Sequence, residues 1–357
     1  MPVDANVILP AEWSRQSGVM LTWPHSKTDW QPYLNQVESV FVDIAEQITL
    51  RQQLIICAVD TAHQQHIQQQ LSHSETNVEN IHFYHVNSND SWVRDHGPIT
   101  ILSDGKPSLL DFTFNAWGNK FQAQLDNQIT RKLYDQGAFG NCKIESIDLI
   151  LEGGAIESDG HGTLLTTSAC LLSANRNPHL SKQQVEKKLC ELFGLTRILW
   201  LDHGYLSGDD TDSHIDTLAR FCSERCIIYV ACDDPQDEHY HELRAMEQQL
   251  QAMRTQDDMA YQLIPLPWPN EKRNDDGDRL PASYANFLII NDAVLVPTYD
   301  DPHDSIAIER VQQGFPDHQI IGIPCLPLIQ QSGSLHCVTM QLPEGLLSLQ
   351  PTSESLP

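Results

Sequence analysis

The sequence is poor in positive charge. Lys and Arg together number 22 against 48 Asp and Glu in 357 residues, a formal net charge of −26. A surface of that sign repels phosphate and anionic lipid heads, so neither nucleic acid nor a membrane surface is an expected partner, whereas small cations are attracted. Long apolar runs are also missing. Windows such as "ANFLIINDAVLVP" are broken by polar residues and fall short of the roughly 20 residues that cross a bilayer. The N-terminal "MPVDANVILPAEW" has neither a basic stretch nor an apolar one, so no leader is read there. No Cys-x-x-Cys pair occurs among the nine cysteines, whose number is odd. Free thiols in a reducing cytoplasm are the expectation. Gly-x-Gly-x-x-Gly and a phosphate loop are both absent, so no nucleotide cofactor is read. Neither His-x-His nor His-Glu-x-x-His accompanies the one His-x-Asp pair, at residues 214 and 216, which weakens a zinc reading.

What is present is an ordinary globular composition, 40% hydrophobic and 20% charged, with short apolar runs alternating with amphipathic segments. Strand-like runs include "VMLTW", "LIICAV", "LLDFTF", "TLLTT", "RILWL", "CIIYVAC", "FLII", "AVLVP", "QIIGIP" and "LHCVTMQL". Over residues 33–51, Val37, Val40, Phe41, Ile44 and Ile48 fall on one helical face. Helices are also predicted over 126–137, 181–194, 237–253 and 304–315, the second capped by Ser181 and ended by Gly194. The Gln-rich "HQQHIQQQ" reads as a solvated helix face, and 268–284 as an exposed loop. Two strands precede each helix, about five times over. Such a repeat fills 1–357 as one α/β domain and favours a radial arrangement over a doubly wound sheet.

Four islands concentrate reactive groups: "NDSWVRDHGP" (89–98), "LEGGAIESDG" (151–160), "GDDTDSHIDT" (208–217) and "SGSLHCVTMQ" (332–341). In the third, Asp209, Asp210, Asp212 and Asp216 crowd one histidine, His214. Clustered carboxylates need a cation: a metal, a basic side chain or a charged substrate. The His-x-Asp pair His214 and Asp216 lacks the further ligands zinc needs, and the spacing does not match a calcium loop. Cys337 becomes a nucleophile only if a cation lowers its pKa. On a strand its neighbour His336 would point to the opposite face. His214, whose nearby carboxylates favour its protonated form, is the better acid–base partner. A guanidinium suits this set, because it is cationic, planar and matches carboxylates with paired N–H donors.

The islands resemble the agmatine deiminases and the related bacterial-type peptidylarginine deiminases of the guanidine-modifying superfamily. The resemblance rests on "LPAEWSRQSGVMLTWPH", "WVRDHGP", "LEGGAIESDGHGTLLTTSACLLSANRNP", "GDDTDSHIDTLARF" and "PASYANFLIINDAVLVPTYDD", and runs from about residue 9 to 343. It implies a five-bladed, pseudo-symmetric α/β propeller (pentein-like) with the site on the central axis and no cofactor or metal. Carried over by motif, it implies Cys337 as nucleophile and His214 as general acid–base. Asp95 and Asp216 are then the guanidinium-binding carboxylates, and Glu152 fixes a guanidinium nitrogen or positions His214. Trp92 lines the substrate channel. Asp210 stands where the agmatine deiminases usually have Glu, facing the substrate's far end.

The implied reaction is agmatine to N-carbamoylputrescine and ammonia through a cysteine thiouronium. The rivals are a deiminase of free or peptidyl arginine, a non-catalytic binder of cationic amines and a metallohydrolase. A homo-oligomer is compatible with any of these. The family commonly has Gly-Gly-Gly-Asn-Ile-His-Cys at its nucleophile. Here Gln331, Ser332 and Ser334 replace two glycines and the asparagine. Gln and Ser tolerate glycine backbone conformations less well.

Overall fold

The computed structural model describes residues 6–347. The first five residues, where no leader was read, and residues 348–357 of the expected single domain lie outside this range. The chain is mixed α/β and builds several sheets rather than one. Among the described residues, five sheets of three or four strands share one pairing rule: an antiparallel neighbour, then a parallel one. The clearest case pairs Leu288–Ile290 antiparallel to Ala293–Thr298, which runs parallel to Gln319–Pro324. The hairpin needs only a tight turn, whereas the parallel step needs a crossover. Helix Asp304–Gly314 provides that crossover here. Lys182–Phe193, Tyr240–Ala252 and Leu34–Thr49 do so in other sheets. The repeat read from the sequence as two strands and a helix is this unit.

The helices form where periodicity predicts them. Val37, Val40, Phe41, Ile44 and Ile48 of Leu34–Thr49 are all buried, each contributing roughly 1.5–3 kcal/mol of apolar burial. Ser181 and Gln184 make a reciprocal capping box, and Gly194 ends that helix in the left-handed region at φ 67°. The Gln-rich stretch is helix Thr61–Leu71, solvated except for Ile67 and Leu71.

Two expectations change. Residues 268–284 are not one exposed loop. They hold the small hairpin Lys272–Arg273 with Arg279–Leu280, and then Ser283 and Tyr284 are buried. Nor is 335–342 a strand throughout. Only Met340–Pro343 pairs, antiparallel to Gln16–Thr22, while residues 335–338 form a turn. Apolar content alone does not separate a buried turn from a buried strand.

Candidate active site

The aspartate-rich island is a tight turn whose acids go to different partners. Asp209 accepts from the Thr211 backbone N–H at 3.1 Å and hydroxyl at 2.6 Å, and from the Ser213 N–H at 2.8 Å. This lets Asp212 and Ser213 take φ of 65° and 67°, a conformation short polar residues tolerate best. Asp212 meets Arg176 at 2.7 Å and Lys120 at 3.0 Å. Asp216 accepts from His336 Nδ1 at 2.8 Å. Of the four, only Asp210 lines the open cleft, and its carbonyl accepts from Lys120 Nζ at 2.6 Å. Most of the cations that quiet the cluster are therefore protein side chains from distant segments.

His214 is fully buried, and both ring nitrogens lack a hydrogen-bond partner. Its Nδ1 lies 3.6 Å from Asp95 Oδ1. Burial, helped by Arg176, overrides Asp216 and pushes its pKa down to about 3. The expected carboxylate-driven imidazolium is thus not the resting state, because desolvation outweighs the nearby charge. Asp95 is pushed well up by burial, Asp216 and Glu152, although Trp117 Nε1 donates to its Oδ2 at 2.9 Å and Gly154 N to its Oδ1 at 3.0 Å. Burial also raises Asp216, yet His336, His214 and Arg220 win and hold it below the usual carboxylate range. The site therefore pushes two like carboxyls in opposite directions, Asp95 up and Asp216 down.

Glycine is obligatory at 154. A Cβ there would stand 2.6 Å from His214 Nδ1, 2.9 Å from Asp95 Oδ1 and 3.1 Å from Asp216 Oδ2. Glu152 is wholly buried and pairs through Oε1 with Arg176 Nε at 2.7 Å, while Oε2 has no partner. Burial raises its pKa against the pull of Arg176.

Cys337 sits in the turn, at the floor of the cleft and 4% exposed. Asn286 clamps it, Nδ2 lying 3.3 Å from Sγ while Oδ1 accepts from the His336 and Cys337 backbone N–H groups at 3.0 and 3.4 Å. Sγ is 3.7 Å from Asp216 Oδ2. Burial, Asp216 and Asp95 all push the thiol pKa well up. Ser332 adopts φ 64°, the conformation that favours the glycine it replaces. Ser332→Gly should therefore raise the urea midpoint by an amount equivalent to about 0.5–1 kcal/mol. An unchanged or lower midpoint would show that the serine is not strained. Ser334 is buried and meets the Tyr299 hydroxyl at 3.0 Å.

The cleft above has a volume of about 1030 Å³. Trp92 lines it, stacked at a tilt on Trp30 and pressed by Gly333, where a Cβ would come 2.1 Å from the indole. Trp117, Phe114 and Phe121 form another wall. Trp117 takes φ 55° beside Ala116 and Asn119, also at positive φ. Six aspartates line the cleft, Asp29, Asp60, Asp90, Asp95, Asp126 and Asp210, against one lysine, Lys27.

Glu152, Cys170 and His214 bring potential ligand atoms within 4.8 Å of one another. Glu152 is already engaged by Arg176. Overnight EDTA should leave turnover unchanged; activity lost to EDTA and restored by zinc would make this trio a metal centre.

The family model described as Porphyromonas-type peptidyl-arginine deiminase matches residues 8–343. The chain belongs to that family. It is 32% identical to an agmatine deiminase of Ectopseudomonas mendocina, covering 94% of this chain and 95% of that one. A C. jejuni agmatine deiminase structure with substrate bound is 38% identical, with a TM-score of 0.90 over 97% of this chain and 99% of that one. A Porphyromonas gingivalis structure provisionally named an arginine deiminase is 48% identical, with a TM-score of 0.89 over 96% and 100%.

In this family member, Cys337, Asp95, Trp92 and Asp210 share the cleft wall, with His214, Asp216 and Glu152 buried around its floor. The reading by motif passed over Arg176, Asn286, Trp117, Glu12 and Arg220, and set His336 aside as facing away on a strand. All but Trp117 and His336 lie inside the segments that carry the resemblance. Burial of a charged residue was the missing signal, and it depends on contacts across the fold.

Proposed function

We propose that this chain hydrolyses agmatine to N-carbamoylputrescine and ammonia, with Cys337 as nucleophile and His214 as general acid–base. The observation that carries the reading is a buried thiol among carboxylates at the floor of an acidic cleft, Sγ lying 3.7 Å from Asp216 Oδ2. Without substrate, those carboxyls keep the thiol protonated. An arriving guanidinium supplies the opposite charge, so Cys337 gives up its proton more easily. Asp95, Asp216 and Glu152 hold its N–H groups. The thiolate attacks the central carbon, and the thiol proton passes to His214. His214 hands that proton to the departing nitrogen, which leaves as ammonia and leaves an S-alkylthiouronium on Cys337. His214 next takes a proton from water, whose oxygen adds to the same carbon. The C–S bond breaks, the hydroxyl proton returns to the leaving sulfur, the ureido product departs, and His214 releases its proton to solvent.

The repeated antiparallel-then-parallel sheets support five blades about a central axis in one domain. The chain works in the reducing cytoplasm with its cysteines free; no described helix is long and apolar enough to cross a membrane. A second reading, a deiminase of free or peptidyl arginine, is favoured by the volume of the cleft, about 1030 Å³, near the upper end for small-ligand sites. Ammonia release from agmatine, arginine and an arginine peptide separates the two.

A further inference from the structure

The residues that face the substrate leave a set of motif charges without a task. Glu12 of the N-terminal segment, Arg94 beside Asp95, Glu157, Arg220 and Gln341 are brought together beneath the catalytic floor. Glu12 pairs with Arg94 Nη1 at 3.2 Å and with Arg220 Nη2, and accepts from Gln341 Nε2 at 2.8 Å. Arg220 also donates to Glu157 at 2.6 Å and to the Phe287 carbonyl at 2.9 Å. Arg94 donates to Gln341 and, through Nε, to the His336 carbonyl at 3.4 Å.

His336 is the link from this network to the site. It is fully buried. Its Nδ1 lies 2.8 Å from Asp216 Oδ2, and its Nε2 lies 2.9 and 3.0 Å from the two oxygens of Glu12. A neutral imidazole has one N–H and one lone pair. One of the two carboxylates would then face a lone pair at hydrogen-bond distance. A protonated carboxyl would relieve that, but Glu12 lies against two arginines, which favour its ionised form. The remaining place for the second proton is the ring. Burial, Arg220 and Arg94 lower the ring's pKa against the pull of Glu12 and Asp216, so the second proton rests on geometry: a carboxylate oxygen lies within hydrogen-bond distance of each ring nitrogen. The charged ring therefore needs both carboxylates at once.

We propose that His336 is a positioning residue: bridging Glu12 and Asp216 as an imidazolium, it keeps Asp216 ionised and aimed at the substrate's guanidinium. Glu12, more than three hundred positions earlier in the sequence, thereby acts on the site without touching substrate. The role of Asp216 rests on the guanidine reading above; the proton count on His336 does not.

Neutron diffraction on the deuterium-exchanged native chain at neutral pH reads the protons directly. Deuterium is expected on both His336 nitrogens, with Glu12 and Asp216 bare. A single ring deuterium overturns the proposal whether or not agmatine is the substrate. Function is read with Glu12→Gln and His336→Asn, comparing agmatine, whose guanidinium is charged, with its product, which keeps the distal ammonium but has a neutral ureido group. Loss of charge on Asp216 weakens the ligand with the guanidinium and spares the ureido one. Agmatine KM is expected to rise about tenfold or more, the scale of one charge-assisted hydrogen bond, with a smaller change in kcat and less than about a twofold change in product inhibition. Equal weakening of both ligands, or an unchanged KM, overturns the positioning role. If either variant does not fold, the other and the neutron map decide.

Discussion

Cys337→Ala should reduce turnover of agmatine by at least about a thousandfold, the scale seen when a covalent nucleophile is removed. The fold should survive. The side chain is small, and the change deletes one sulfur and its contact with Asn286, a cost of about 1 kcal/mol. Circular dichroism and a urea midpoint close to the parent's would confirm that, and agmatine should still bind, because Asp95, Asp216 and Glu152 remain. Turnover within tenfold of the parent would refute a covalent route through this residue. Loss of both turnover and folding would move the test to Cys337→Ser, which keeps volume and polarity.

Agmatine should exceed arginine in kcat/KM on the order of a hundredfold. The two differ by one α-carboxylate, and the cleft that must take it carries six aspartates and a single lysine. Lys120 comes near but is already paired with Asp212 and the Asp210 carbonyl. Repulsion of a few kcal/mol in a partly desolvated channel gives that ratio. Asp210→Asn should erode it, mainly by weakening agmatine. The preference should also grow with pH. Burial raises Asp90 and Asp126 to about 7. A carboxyl raised in this way is neutral below that pH and charged above it, so both add negative charge between pH 6 and 8. Equal use of arginine and agmatine, or a ratio indifferent to Asp210→Asn, would show that the far end is read by other groups.

The fold was legible to the extent that local chemistry dictates it. Ser181, Gly194 and the apolar stripe from Val37 to Ile48 specify their helices from neighbouring residues alone. The two-strand, one-helix repeat is likewise written in short-range patterning, and the sheets follow it. The Cys337 backbone was misread because "LHCVTM" is apolar enough for a strand, whereas Asn286, far away in sequence, holds it as a turn. The same limit applied to His336. On a strand it would have pointed away from the site; in the turn it reaches Asp216. Composition alone does not separate Asp212 from Asp216; their partners do, Arg176 and Lys120 for the first and His336 for the second. His214 was expected to carry a proton because its neighbours are acids. Burial, which no short window reveals, reverses that.

The most direct test of the guanidine chemistry is product identity from purified protein and agmatine, quantified by mass spectrometry beside an ammonia assay. The guanidine carbon has two kinds of C–N bond. Attack by Cys337 with a terminal nitrogen leaving predicts N-carbamoylputrescine and ammonia in equal amounts, and neither from Cys337→Ala. Putrescine with urea, or product formed undiminished by the alanine variant, would contradict it.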